Sequence, residues 1–127
     1  MARQLVLCID DDRDILDLHM LVLERAGYSV LGASDAPQAL NLLSANAVDL
    51  VIADHMLPGR SGSDMVKEMK RLKPNVPIVM LSGILEIPEA EHHADVFLSK
   101  PSSSEDLVRV VGDLLAGGKS TKREQAS

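Results

Sequence analysis

Short apolar runs alternate with longer segments of helical periodicity along this chain of 127 residues. Runs that are almost continuously apolar predict β-strands covered on both faces, and apolar residues three or four positions apart predict helices. Strands and helices that alternate in this way need right-handed crossovers between parallel strands. The sequence therefore predicts an α/β protein with a doubly wound, five-stranded parallel sheet. The predicted strands are Leu5–Ile9, Tyr28–Ala33, Val48–Ala53, Ile78–Leu81 and Asp95–Ser99.

The segments between the predicted strands carry their apolar residues on one helical face. Tyr28–Ala33 is more polar than the other strands, which favours an edge position. Gly27 stands where a helix C-cap is expected, and Ser34 or Asp35 could cap the next helix. The helical patterns are Ile15, Leu18, Val22 and Ala26; Ala39, Leu40 and Leu43; Met65, Val66, Met69 and Leu72; and Leu107, Val111, Leu114 and Leu115.

Length and composition predict one domain over residues 3–116, followed by a flexible polar tail over residues 117–127. Hydrophobic residues make up 46% of the chain and charged residues 25%, which is the globular range. The net charge of −6 argues against direct nucleic-acid binding. No apolar run approaches the roughly 18 residues of a membrane span. We therefore expect a cytoplasmic protein without membrane contact, in which the single cysteine, Cys8, is buried.

Polar residues of unusual kind follow four of the predicted strands. Asp10, Asp11 and Asp12 follow the first strand, and Asp54 follows the third. Ligands bind at the carboxyl edge of an open parallel sheet, so these carboxylates converge if the first and third strands are neighbours. Carboxylates that lie so close repel one another and need a cation. Oxygen ligands with room for water suit Mg²⁺.

Each of these polar residues also has a simpler explanation. An aspartate after a strand is most often a helix N-cap, and Asp11 or Asp12 could serve in that way. Ser82 after the fourth strand could belong to a turn, and Lys100 after the fifth could be a solvated charge. Because all four strand ends are polar together, the combination favours a functional site.

Four ordered segments resemble the receiver domain of two-component response regulators over nearly all of residues 3–116. The segments run from Val6 to Asp12, from Asp49 to Gly59, from Pro77 to Gly83 and from Asp95 to Pro101. The resemblance implies a flavodoxin-like strand order, 2-1-3-4-5. It also implies a signalling phosphoacceptor rather than an enzyme, with a sensor histidine kinase or phosphotransfer protein and a downstream output protein as partners.

The resemblance assigns a metal site and an acceptor. Asp54 is implied to be the phosphoacceptor and a Mg²⁺ ligand. Asp11 is implied to bind Mg²⁺ directly and Asp10 through water, while the backbone carbonyl of Met56 completes the protein ligands. Asp12 takes a secondary place in this assignment.

The resemblance also assigns the residues that respond to the phosphoryl group. Ser82 corresponds to the hydroxyl switch, Lys100 to the phosphate-pairing lysine and Phe97 to the switch aromatic, and the bond before Pro101 is implied to be cis. Self-phosphorylation from small phosphodonors follows from these roles. We expect slow self-dephosphorylation, because Met56 offers no polar side chain to orient a water molecule.

The chain departs from the family pattern between Ser82 and Lys100, which lie closer in sequence than the family pattern implies. The shortage falls on a fourth helix, Glu86 to Ala94, which includes Pro88 and the pair of histidines at 92 and 93. We therefore expect a short or irregular fourth helix and a monomer or weak dimer.

Two other functions compete with the phosphoacceptor switch. A Mg²⁺-dependent phosphatase of haloacid-dehalogenase type would use the Asp10-x-Asp12 pair with Ser82 and Lys100, but it leaves Asp54 unexplained and lacks a further acidic pair. A degenerate receiver that only binds partners is disfavoured by the full set of acids, hydroxyl and lysine. The two chemical readings differ in which aspartate an acyl-phosphate donor labels.

Overall fold

The computed structural model describes the backbone of residues 3–54, 56–57, 60–82, 96–99 and 104–116, and the side chains of residues 3–53, 64–81 and 105–116. The strands are β1 (Leu5–Ile9), β2 (Ser29–Ala33), β3 (Leu50–Asp54), β4 (Met56–Leu57), β5 (Arg60–Ser61), β6 (Ile78–Ser82) and β7 (Val96–Ser99). The helices are α1 (Arg13–Arg25), α2 (Ala36–Ala45), α3 (Gly62–Leu72) and α4 (Ser104–Ala116). The predicted fourth helix, Glu86 to Ala94, and the predicted tail lie outside the described residues.

Five strands form one sheet in the order β2-β1-β3-β6-β7, and every neighbouring pair is parallel. This is the predicted 2-1-3-4-5 order, with β2 at an edge as its polarity indicated. The two short strands β4 and β5 pair with each other as an antiparallel hairpin between β3 and α3. The order makes β1 and β3 neighbours, so their carboxyl ends meet.

Helices cover the sheet on both sides and create two separate cores. One core packs α1 and α4 against alternate residues of the central strands, such as Cys8 and Ile52. The other packs α2 and α3 against the intervening residues, such as Ile9 and Ala53. The strands are apolar in almost every position because both faces are buried. Among the described residues, no helix is long and apolar enough to cross a membrane.

The buried face of α1 differs from the predicted one. Leu18 was expected to face the core, but it is 52% exposed. Leu16 and Leu23 are buried instead, and Met20 packs against their core. The cause lies in β2, where Gly32 has no side chain and the Sδ of Met20 would lie 2.6 Å from a Cβ built there. Two overlapping stripes of this helix are apolar, one through Leu18 and one through Leu16 and Met20. The space beside Gly32 favours the stripe that contains Met20.

The ends of the first two helices follow the sequence signals. Gly27 follows the last residues of α1 with φ of +106°, a conformation in which a Cβ would be strained. Asp35 is the N-cap of α2, because its Oδ1 accepts the backbone N–H of Gln38 at 2.9 Å. Of the two caps that the sequence allowed for α2, the structure therefore selects the aspartate.

Candidate functional site

The strand register aligns the polar residues at the carboxyl edge of the sheet. Ile9 pairs with Ala53, so Asp10 and Asp54 follow at the same level of two adjacent strands. Adjacent strands lie about 5 Å apart. Asp54 itself pairs with Leu81 of β6, one residue before Ser82. The backbone positions of the first acid, the expected acceptor and the expected hydroxyl switch therefore converge at one edge.

The register continues to the last strand of the sheet. Ser82 pairs with Ser99 of β7, and Met80 pairs with Phe97. The structure describes the backbone of Asp54, Met56, Ser82 and Phe97 but not their side chains. Lys100 lies outside the described residues, one position after Ser99.

Asp10 is a buried carboxylate at the end of β1. Its side chain and backbone are only 2% exposed, and it is the one buried charged residue among those whose burial is described. Its Oδ1 accepts the backbone N–H of Asp12 at 2.9 Å, and its own N–H donates to the carbonyl of Ala33 at 3.1 Å. Asp10 is therefore held on both sides by the backbone around it.

Asp12 is the N-cap of α1. Its Oδ1 accepts the backbone N–H groups of Asp14 at 3.0 Å and Ile15 at 3.3 Å. Its backbone is extended, with φ of −87° and ψ of 108°, as the N-cap position requires. Of the two aspartates that the sequence allowed as a cap, the structure selects this one, and its carboxylate is directed to the helix.

Asp11 differs from both of its neighbours. It is exposed, and within the described part of the chain its carboxylate forms no hydrogen bond or ion pair. The three successive aspartates thus lie in three environments: one buried in a turn, one open to solvent and one capping a helix. Among the described side chains, no three histidines, cysteines, aspartates or glutamates form a cluster of metal ligands. The carboxylate of Asp54 is not among those side chains.

Cys8 lies on β1, two residues before Asp10. Burial raises the pKa of the Cys8 thiol from 9.0 to about 12, and the negative charge of Asp10 adds to this rise. A thiol with so high a pKa is protonated and unreactive at neutral pH. Cys8 is therefore a core residue, as its place in an apolar run predicted.

The sequence did not reveal how the three aspartates divide their roles. The spacing of the acidic run did allow such local hydrogen bonds, because an aspartate carboxylate can accept a backbone N–H two or three positions further along the chain. Asp10 and Asp12 are two positions apart, and Ile15 lies three positions after Asp12. Asp11 meets the same spacing rule, so only the structure could show which of the three aspartates form these hydrogen bonds.

The fold is that of a receiver domain of two-component signal transduction. A family model described as response regulator receiver domain matches residues 6–112, and the chain belongs to this family of signalling domains. The chain resembles the response regulator SaeR of Staphylococcus aureus, with 34% identity over 114 residues, which cover 87% of this chain and 50% of that protein. The chain thus spans about half the length of the curated relatives it matches.

Solved structures give the same result. A CheY-like receiver domain protein from Methanospirillum hungatei JF-1 superposes with a TM-score of 0.87 and 25% identity, covering 94% of this chain and 99% of that one. The chemotaxis response regulator CheY4 of Vibrio cholerae superposes with a TM-score of 0.81 and 29% identity. The match covers 90% of this chain and 100% of CheY4. The predicted family is confirmed.

Proposed function

We propose that this receiver domain accepts a phosphoryl group on Asp54 and passes the signal to an output protein by a change of conformation. The donor is a sensor histidine kinase or a phosphotransfer protein. The observation that carries the proposal is the register at the carboxyl edge, where Asp10 and Asp54 follow paired residues of adjacent strands. An acidic group beside a carboxylate nucleophile calls for a cation between them.

The donor atoms fit Mg²⁺. Asp11 offers an exposed carboxylate with no other described partner, while Asp10 offers a buried carboxylate whose first oxygen is engaged by a backbone N–H. These contacts support Asp11 as a direct ligand and Asp10 as a ligand through water. Asp54 and the backbone carbonyl of Met56 would complete the set. When bound, Mg²⁺ neutralises charge on the phosphoryl oxygens during transfer.

The residues of the chain perform the transfer by position and charge. A carboxylate oxygen of Asp54 attacks the phosphorus, the bond from phosphorus to the donor nitrogen breaks, and the histidine of the donor leaves with a proton from water. Lys100 pairs with the phosphoryl oxygens in the product. The Ser82 hydroxyl donates a hydrogen bond to one of them, and Phe97 fills the space that Ser82 leaves.

The register supports this coupling between the acceptor and the last strand. Ser82 follows the residue paired with Asp54, and Phe97 pairs with Met80, two positions before Ser82. Because β6 and β7 are adjacent strands, a displacement at Ser82 can act on β7 directly. We further propose that the domain comprises residues 3–116 with a polar tail after it.

Intact-mass measurement with acetyl phosphate and Mg²⁺ tests the acceptor. The wild-type chain should gain the mass of one phosphoryl group, and Asp54→Asn should gain none. Asp49→Asn is the matched control, because it makes the same change at the opposite end of β3, where Asp49 accepts the N–H of Leu5 at 2.8 Å. That variant should be labelled like the wild type. Labelling of Asp54→Asn would contradict the proposal, and label found on Asp10 instead would favour phosphatase chemistry.

A further inference from the structure

Two consecutive turns tie the end of β1 to the first turn of α1. In the first turn, the Oδ1 of Asp10 accepts the N–H of Asp12 at 2.9 Å. In the second, the Oδ1 of Asp12 accepts the N–H groups of Asp14 and Ile15 at 3.0 and 3.3 Å. Asp12 belongs to both turns. Its backbone N–H donates the hydrogen bond of the first turn, and its side chain accepts the hydrogen bonds of the second.

Asp11 is enclosed between these turns. Its carboxylate forms no hydrogen bond or ion pair within the described part of the chain, so none of the described side chains orients it. Its position is set by the backbone on either side of it, which the two turns fix. If the first turn of α1 were less ordered, the exposed carboxylate of Asp11 would sample more positions. A smaller fraction of those positions would suit a metal ion.

We propose that Asp12 is a positioning residue of the Mg²⁺ site, and this role rests on the proposed function above. Asp12 acts through the helix cap, not as a ligand and not through its charge. Outer-shell groups of this kind hold the ligands in place, and their loss typically weakens metal binding by 10-fold to 100-fold. The cap needs an oxygen acceptor, which asparagine also supplies and alanine lacks.

Mg²⁺ titrations of the full chain without phosphodonor test this role, followed by NMR shifts at a temperature where every variant is folded. Asp12→Ala should bind Mg²⁺ about tenfold more weakly, whereas Asp12→Asn should stay within about twofold of the wild type. Asp35→Ala is the matched control. It removes an aspartate cap of the same chemistry from α2, so it should lower stability similarly and leave Mg²⁺ affinity unchanged.

Three outcomes would overturn the inference. Unchanged affinity in Asp12→Ala would show that the cap does not matter to the metal. Equal weakening in Asp12→Asn and Asp12→Ala would show that the charge matters and the cap does not. Weakening in Asp35→Ala as large as in Asp12→Ala would indicate a general loss of order. Asp11→Asn serves as the reference: if it binds Mg²⁺ like the wild type, the proposed metal site fails, whatever Asp12 does.

Discussion

The Asp10→Asn variant should be more stable than the wild type without Mg²⁺ and less stable than the wild type with saturating Mg²⁺. Asp10 is an acidic residue at 2% exposure, and the acidic residue Asp54 follows the paired position on the adjacent strand. Adjacent strand backbones lie about 5 Å apart, and two carboxylates at that separation would repel each other by about 3 kcal/mol at an effective dielectric constant of 20. Asparagine removes this repulsion but keeps an oxygen that can accept the N–H of Asp12. After screening by solvent, we expect the Mg²⁺-free variant to be more stable by about 1–2 kcal/mol.

Mg²⁺ should change the order. A ligand that binds only the folded state adds about 2.7 kcal/mol at a concentration 100 times its Kd. The wild type should gain this amount, while Asp10→Asn should gain much less because one metal-binding carboxylate is lost. Urea unfolding followed by circular dichroism, with EDTA and with saturating Mg²⁺, measures both quantities. Asp49→Asn removes the same charge at the other end of the sheet and should respond to Mg²⁺ like the wild type.

Two results would refute this reasoning. If Asp10→Asn is less stable than the wild type without Mg²⁺, the contacts around the buried carboxylate stabilise its charge more than neighbouring acids destabilise it. If the variant and the wild type gain equal stability from Mg²⁺, Asp10 takes no part in metal binding. The proposed site is therefore supported if the wild type is the less stable protein without Mg²⁺ and the more stable one with saturating Mg²⁺.

Three further predictions test other parts of the structure. Because the folded pKa of Cys8 is raised from 9.0 to about 12, its contribution to stability is complete below pH 9 and is lost as the pH rises toward 12. Urea unfolding should show the wild type losing up to about 1.4 kcal/mol per pH unit more than Cys8→Ala over that range, and parallel slopes would contradict the raised pKa. Gly112→Ala should stabilise the chain by about 0.5–1 kcal/mol in the same assay, because its Cβ meets a tyrosine hydroxyl at 3.7 Å in ordinary contact. Gly27→Ala should instead destabilise it by about 1 kcal/mol, because φ there is +106° although the space is open; effects of the same sign in both variants would contradict this account. Met56→Asn should shorten the lifetime of the phosphorylated state, measured as loss of label with Mg²⁺ present, because a polar side chain two positions after Asp54 can orient water; an unchanged or slower decay would contradict it.

Local signals in the sequence determined much of the structure. Near-continuous apolar runs predicted the strands and their covering on both faces, and β2 was predicted at an edge from its polarity. The α2 cap was predicted as one of two residues, and Gly27 was predicted at the end of α1. These features depend on residues within a few positions of one another, so the sequence contains the physical information directly.

The acidic run shows where local signals stop. The sequence alone predicted that acids follow β1 and that Asp11 or Asp12 could cap α1. It did not decide between them, because both have the same side chain and both stand within reach of the first turn. The structure assigns the cap to Asp12 and leaves Asp11 exposed, since the turn closed by Asp10 fixes where the helix begins.

Tertiary packing decided the buried face of α1. Within that helix, a stripe through Leu18 and one through Leu16 and Met20 are both apolar, so periodicity cannot rank them. The choice depends on Gly32, a residue of the next strand that leaves a gap where the methionine packs. A pattern within one helix does not contain the shape of the surface on which that helix packs.

The sequence by itself determined which chemical groups stand at the ends of the strands, because those groups follow the apolar runs directly. Only the tertiary structure decided that the backbone positions of Asp10, Asp54 and Ser82 lie together at one edge of the sheet. The pairing of Ile9 with Ala53 places Asp10 beside Asp54, although 44 positions separate them in the chain. Such a register results from the simultaneous packing of two cores on the two faces of the sheet. A shift of one residue would turn every strand side chain toward the wrong core.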